Sequence, residues 1–130
     1  MDYLEKAKAL RGEETVHHNC AQATLLTFRE HLGLDEDTAR GVTTFFNVGM
    51  RCGAMCGAVS GALMVLGLAG AGDKAAAELI AKFKEKNGYL NCAELLKAAR
   101  ERGEERKPHC DRMVYDGVSL AAEILEREGK

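Results

Sequence analysis

The sequence has no tryptophan, a single proline, three tyrosines and four phenylalanines. So little ring surface leaves few platforms on which bases could stack, and a formal net charge of −2 provides no field to gather nucleic acid or an anionic membrane. Neither partner is expected. The lone proline excludes a proline-rich linker or collagen-like chain, and 46% hydrophobic residues with so small a net charge exclude disorder. What remains, at 130 residues, is one soluble globular domain over residues 1–130.

Also missing is any charged start, apolar stretch and small-residue cleavage site at the beginning, which reads Met-Asp-Tyr-Leu-Glu-Lys-Ala-Lys. A cytoplasmic location is therefore expected, where thiols stay reduced. Five cysteines in such a compartment, an odd number, argue for metal binding or redox chemistry over a disulfide framework.

No run of β-branched residues alternates with period two, whereas apolar residues recur at helical spacing between Gly and Asn stops. The fold class read from this is all-α, a single compact bundle of about six to seven helices around a Gly/Ala-rich central helix. Helices are predicted over Asp2–Arg11, Asn19–Leu32, Asp35 toward Phe46, Asp73–Lys86, Asn91–Arg100 and from Pro108 to Arg127. Between Cys52 and Gly72 no residue is charged. The length would permit a membrane span, but the stretch is rich in Gly and Ala, carries two cysteines and lacks flanking Trp or Tyr, so a buried helix is expected. The mixed-sign run from Arg100 to Lys107 reads as a solvated loop.

Two tetrapeptides nearly repeat: Asn19-Cys20-Ala21-Gln22 and Asn91-Cys92-Ala93-Glu94. In each, Asn is a good N-cap and Gln or Glu three residues on can reach back to it, so both cysteines are predicted to open helices. Cys110 follows Pro108, and Cys52 and Cys56 stand near the start of the central helix, so all five map to helix beginnings. Thiols there feel the positive end of the helix dipole, which lowers their pKa. In the central helix, Cys52, Cys56 and Ser60 share a face beside a stripe of Gly53, Gly57 and Gly61. Glycine costs about 1 kcal/mol per helical position relative to Ala. The stripe therefore implies either a close second backbone or a cofactor, and both readings stay open.

The order Cys20, Cys56-Gly57-Ala58-Val59-Ser60-Gly61, Cys92, Cys110, with Leu66-Gly67-Leu68 after the central helix, resembles the redox-active proteins named for the pattern C_GCAxxG_C_C. The likeness spans Asn19 to Cys110, with Met55 where the pattern has its first Gly. Members are small helical proteins common in anaerobic bacteria and archaea, and are similar to the cluster-bearing part of split-Soret cytochromes. The resemblance implies cysteine-based redox chemistry with an iron–sulfur cluster, for electron transfer or redox sensing. By that implication Cys20, Cys56, Cys92 and Cys110 are the metal ligands. Cys52 is a further cofactor-binding candidate, as a fifth ligand, a resolving thiol or a small residue on the cluster side. No Cys-x-x-Cys-His is present, so covalent haem is not implied.

Two alternatives stand beside the cluster: a metal-free thiol–disulfide protein and a structural zinc module. His17, His18 and His109 neighbour the cysteines, and the reading preferred for each is an exposed polar flank. His31 is expected to cap carbonyls. No Ser-His-Asp order or paired-carboxylate motif assigns a catalytic residue, so oxidoreductase and electron carrier are both left open. A redox partner protein is implied without being identified. Apolar helix faces in so small a chain leave room for a homodimer.

Overall fold

The computed structural model describes residues 2–130, and the described residues are all-α with no strand. In chain order the helices are α1 (Tyr3–Arg11), α2 (Cys20–Thr27), α3 (Arg29–Leu32), α4 (Glu36–Thr43), α5 (Gly57–Leu68), α6 (Asp73–Asn87), α7 (Cys92–Glu101) and α8 (Arg106–Glu128). The number slightly exceeds the six to seven expected. The predicted Asn19–Leu32 helix is two, because Phe28 (φ −99°, ψ 5°) breaks the ladder and its ring is wholly buried. No helix of the described residues is long and apolar enough to cross a membrane.

Caps follow the sequence in part. Asp2 accepts from the Glu5 amide, Asp35 from the Thr38 amide, and Asn19 with Gln22 forms a complete capping box. The second predicted box does not close. Asn91 Nδ2 instead donates to Glu94 Oε1 at 3.3 Å, and the residue is occupied by a backbone bridge to Met55. Pro108 is the third residue of α8, in the first turn as expected, with the helix starting two residues before it. Its missing N–H is among the four that a helix start leaves unpaired anyway.

The uncharged stretch differs most from expectation. Its helix begins only at Gly57, so Cys52 and Gly53 lie outside it. Before it, Val48, Gly49, Met50 and Arg51 take consecutive left-handed conformations, with φ of 51°, 57°, 57° and 66°. Each non-glycine residue there costs about 1–2 kcal/mol. Gly49 is indispensable to the turn: a Cβ would fall 2.3 Å from the Ala54 carbonyl oxygen, whose residue closes the turn by donating from its amide to the Gly49 carbonyl at 2.9 Å.

Central helix α5 packs against α2 and α8, as its buried residues Ala58, Val59, Ala62, Val65 and Leu66 require. The glycines explain how closely. A Cβ on Gly61 would meet Thr24 Cβ at 2.8 Å and the Ala21 carbonyl oxygen at 2.9 Å, and one on Gly117 of α8 would meet the Ala58 carbonyl oxygen at 2.8 Å. For Gly61 the stripe therefore serves a second backbone. Gly61→Ala is expected to destabilise the protein by about 1–3 kcal/mol through overpacking. Gly67→Ala, in the same helix with nothing within 4 Å of its Cβ, should leave stability unchanged or raise it by up to about 1 kcal/mol. Urea unfolding of the two variants checks the contrast.

Candidate functional site

Four segments bring Cys20, Cys56, Cys92 and Cys110 to the lining of one cavity of about 320 Å³. Each arrives for a local reason. Cys20 is the first residue of α2, held by the Asn19 capping box. Cys56 is the N-cap of α5, and Cys92 the first residue of α7. These two are tied together by the bridge, in which the Cys56 amide donates to the Leu90 carbonyl at 2.8 Å and the Cys92 amide to the Ala54 carbonyl at 2.7 Å. Cys110 lies in the second turn of α8. Gly57 seats α5 against the Cys20 end of α2, since a Cβ there would lie 2.9 Å from the Ala21 nitrogen and 3.1 Å from Cys20 Cβ.

Cys52 is not with them. It is exposed, follows the left-handed turn and places its thiol 3.6 Å from the Gly49 carbonyl. The expectation that all five cysteines begin helices therefore fails for this one, and also for Cys110, the fifth residue of α8.

Arg11, His17, Arg106 and Lys107 also line the cavity, and among the described residues no carboxylate does. Arg11 is buried, with Nε donating to Asp111 Oδ1 at 2.7 Å and Nη1 to the His18 carbonyl at 2.7 Å. Lys107 Nζ donates to the Arg11 carbonyl at 3.0 Å and to Asp111 at 3.0 Å, which fastens α1 to α8. Also lining it are Asn47, whose buried Oδ1 has no hydrogen-bond partner, and the left-handed turn through Val48 and Gly49.

Burial and the neighbouring sulfurs decide the thiol pKa values. Burial lifts Cys56 to about 12, although the Ala58 and Val59 amides pull the other way, and it raises Cys92 as well. Cys20 is raised because its thiol donates to Cys110 and is desolvated. Cys110 is lowered to about 6, first by that hydrogen bond from Cys20 and then by Arg11 and Arg106, against the cost of burial. One thiol of the four is thus lowered, by its neighbours and not by a helix start, while the Cys110 partner raises Cys20 and burial raises Cys56 and Cys92.

The histidines divide. His17 is exposed as expected, and burial together with the Arg11 and Lys107 charges lowers its pKa. His18 and His109 are buried, contrary to expectation. His18 Nε2 lies 3.1 Å from Glu13 Oε2, while His109 lines the cavity and turns Nδ1 toward Glu104 at 3.6 Å. His31 Nε2 contacts the Lys130 carbonyl rather than the end of its own helix.

Arg11 and Asn47 were not singled out in the sequence, and Arg106 and Lys107, read there as part of a solvated loop, open α8 and line the cavity. A basic residue in a last turn, as Arg11 is, looks like dipole compensation, and nothing local distinguishes one that turns inward.

These features define a small helical protein with a four-thiol, cation-lined cavity. The sequence profile of the family described as "Putative redox-active protein (C_GCAxxG_C_C)" matches residues 18–124, and the chain belongs to that family. No curated protein and no solved structure matches it.

In the reduced, metal-free protein one thiol should react with iodoacetamide at a rate that rises with pH to a plateau, with a midpoint near pH 6, because only the thiolate attacks. Cys110→Ser should abolish that phase. Cys20→Ala, which removes the donor, should move its midpoint upward. Peptide mapping of the labelled site against pH checks all three.

Proposed function

We propose that this redox-active protein holds an iron–sulfur cluster on Cys20, Cys56, Cys92 and Cys110 and uses it for electron transfer or redox sensing. The observation that carries this reading is the convergence of four thiols, from four separate segments, on one cavity lined by cations and, among the described residues, by no carboxylate. Thiolate ligands and an anionic cluster both need such compensation.

A single zinc ion suits the site less well. Tetrahedral Zn–S bonds of about 2.3 Å would hold the sulfurs roughly 3.8 Å apart. Among the described residues, no three His, Cys, Asp or Glu side chains are gathered closely enough to hold one ion. In a four-iron cluster each thiolate meets a different iron, so the ligands stand farther apart. When bound, the cluster would supply one-electron chemistry. The chain's own part is to hold four sulfurs, keep a buried guanidinium beside two of them and exclude bulk water through the Cys56, Val59, Leu95 and Met113 apolar layer.

One contact favours a second reading. Cys20 and Cys110 are near enough for each to shift the titration of the other, so these two could close a disulfide in metal-free protein, passing two electrons to a disulfide oxidant and releasing one proton from the thiol–thiolate pair.

Anaerobic reconstitution with ferrous iron and sulfide tests the choice. Iron, acid-labile sulfide and visible absorption are expected in the wild type and in Cys52→Ser. Loss of absorption is expected in Ser variants of the other four. Protein that takes up neither iron nor sulfide would overturn the cluster, and a reversible two-electron thiol titration in its place would support the dithiol.

A further inference from the structure

Arg11 is a buried cation with donors to spare. The residue is 8% exposed, yet its partners are few: Nε serves Asp111 Oδ1 and Nη1 serves the His18 carbonyl. A guanidinium has five N–H donors. Among the described residues Nη2 makes no hydrogen bond, and the side chain lines the cavity that holds the four sulfurs. Nη2 is not among the buried atoms left without a partner, so its donors are free toward the cavity that the four sulfurs share. Cys20 and Cys110 are the two whose charges it feels.

The cation is held in place. Asp111 fixes one edge of the guanidinium, the His18 carbonyl another, and Lys107 binds both the Arg11 carbonyl and Asp111. Counting Arg11, Lys107 and Asp111 together leaves one net positive charge beside the sulfurs. Reduction makes a thiolate-based site more negative, and a fixed positive charge in a partly buried place stabilises the reduced form more than the oxidised one. A nearby negative charge does the reverse.

We propose that the Arg11–Asp111 pair sets the reduction potential of the four-cysteine site, with Arg11 raising it and Asp111 holding it down. This rests on the site proposed above. Arg11 is a positioning residue in this scheme: it acts through the sulfurs and takes no electron itself.

The two partners of one ion pair then predict shifts of opposite sign. Spectroelectrochemical titration of anaerobically reconstituted wild type, Arg11→Gln, Arg11→Lys and Asp111→Asn measures them. Arg11→Gln should favour the oxidised state by about tenfold, which is about 59 mV downward for a one-electron couple. Arg11→Lys should restore most of that, and Asp111→Asn should move the potential upward. A clasp between α1 and α8 that served packing alone would shift both variants the same way or neither, and either result overturns the proposal.

Should Arg11→Gln fail to fold or load, Asp111→Asn decides alone: an upward shift supports the proposal, and no shift or a downward one overturns it. Should the wild type take up no iron and sulfide, the cluster reading fails by itself. The same variants are then equilibrated metal-free against reduced and oxidised glutathione. There the Cys20–Cys110 disulfide takes two electrons and one proton to give a thiol and a thiolate. The same signs are expected, a tenfold effect being about 29.6 mV for two electrons. Absence of that disulfide, or shifts of like sign, would overturn the proposal.

Discussion

Backbone pressed on backbone, where α5 meets α2, is the contact on which the rest of the molecule depends. At Gly57 and Gly61 the two helices approach so closely that a single methyl group would strike main-chain atoms. The same approach brings the N-cap of α5 to the first turn of α2, and so Cys56 to Cys20. Gly117 repeats the device between α8 and α5. In a chain with few aromatic rings, short distances between Ala and Gly surfaces replace bulky side chains as the source of dispersion contact. The price is three positions where no other side chain fits.

Around that core the site is an electrostatic balance. The Ala58 and Val59 amides favour the Cys56 thiolate, but burial removes the water that would otherwise stabilise it and wins at Cys56 and Cys92, while at Cys20 the partnership with Cys110 adds to burial. The compensation comes instead from whole charges, chiefly Arg11 and Arg106 near Cys110. A full charge a few ångströms away outweighs the partial charge of a helix end.

Much of this was legible in the sequence. Periodicity and stops placed most helices within a few residues, because Asp2, Asn19 and Asp35 are caps and Gly33 and Gly88 adopt the left-handed conformation that ends a helix. The four pattern cysteines were legible as a set, and the structure brings them to one cavity. Three things were not. The start of α5 was misplaced because Val48–Arg51 folds against local preference, a conformation stabilised only by its tertiary surroundings. Phe28 broke a helix with no Gly or Pro to announce it. The inward turn of Arg11 depends on Asp111, a hundred residues away along the chain, and no window of sequence contains both.

The cysteine cavity is also a non-local feature of the fold, its sulfurs drawn from residues 20 to 110. On a ribosome, where early segments fold before later ones exist, Cys20, Cys56 and Cys92 all emerge before the helix that carries Cys110 and Asp111. Until that helix docks, Arg11 has no carboxylate to lie against and the cavity lacks a wall. Anything the four sulfurs hold together is therefore acquired after synthesis has passed α8, by a nearly complete fold. A site that needs its sulfurs as thiolates then requires Cys20, Cys56 and Cys92 to stay reduced during that interval.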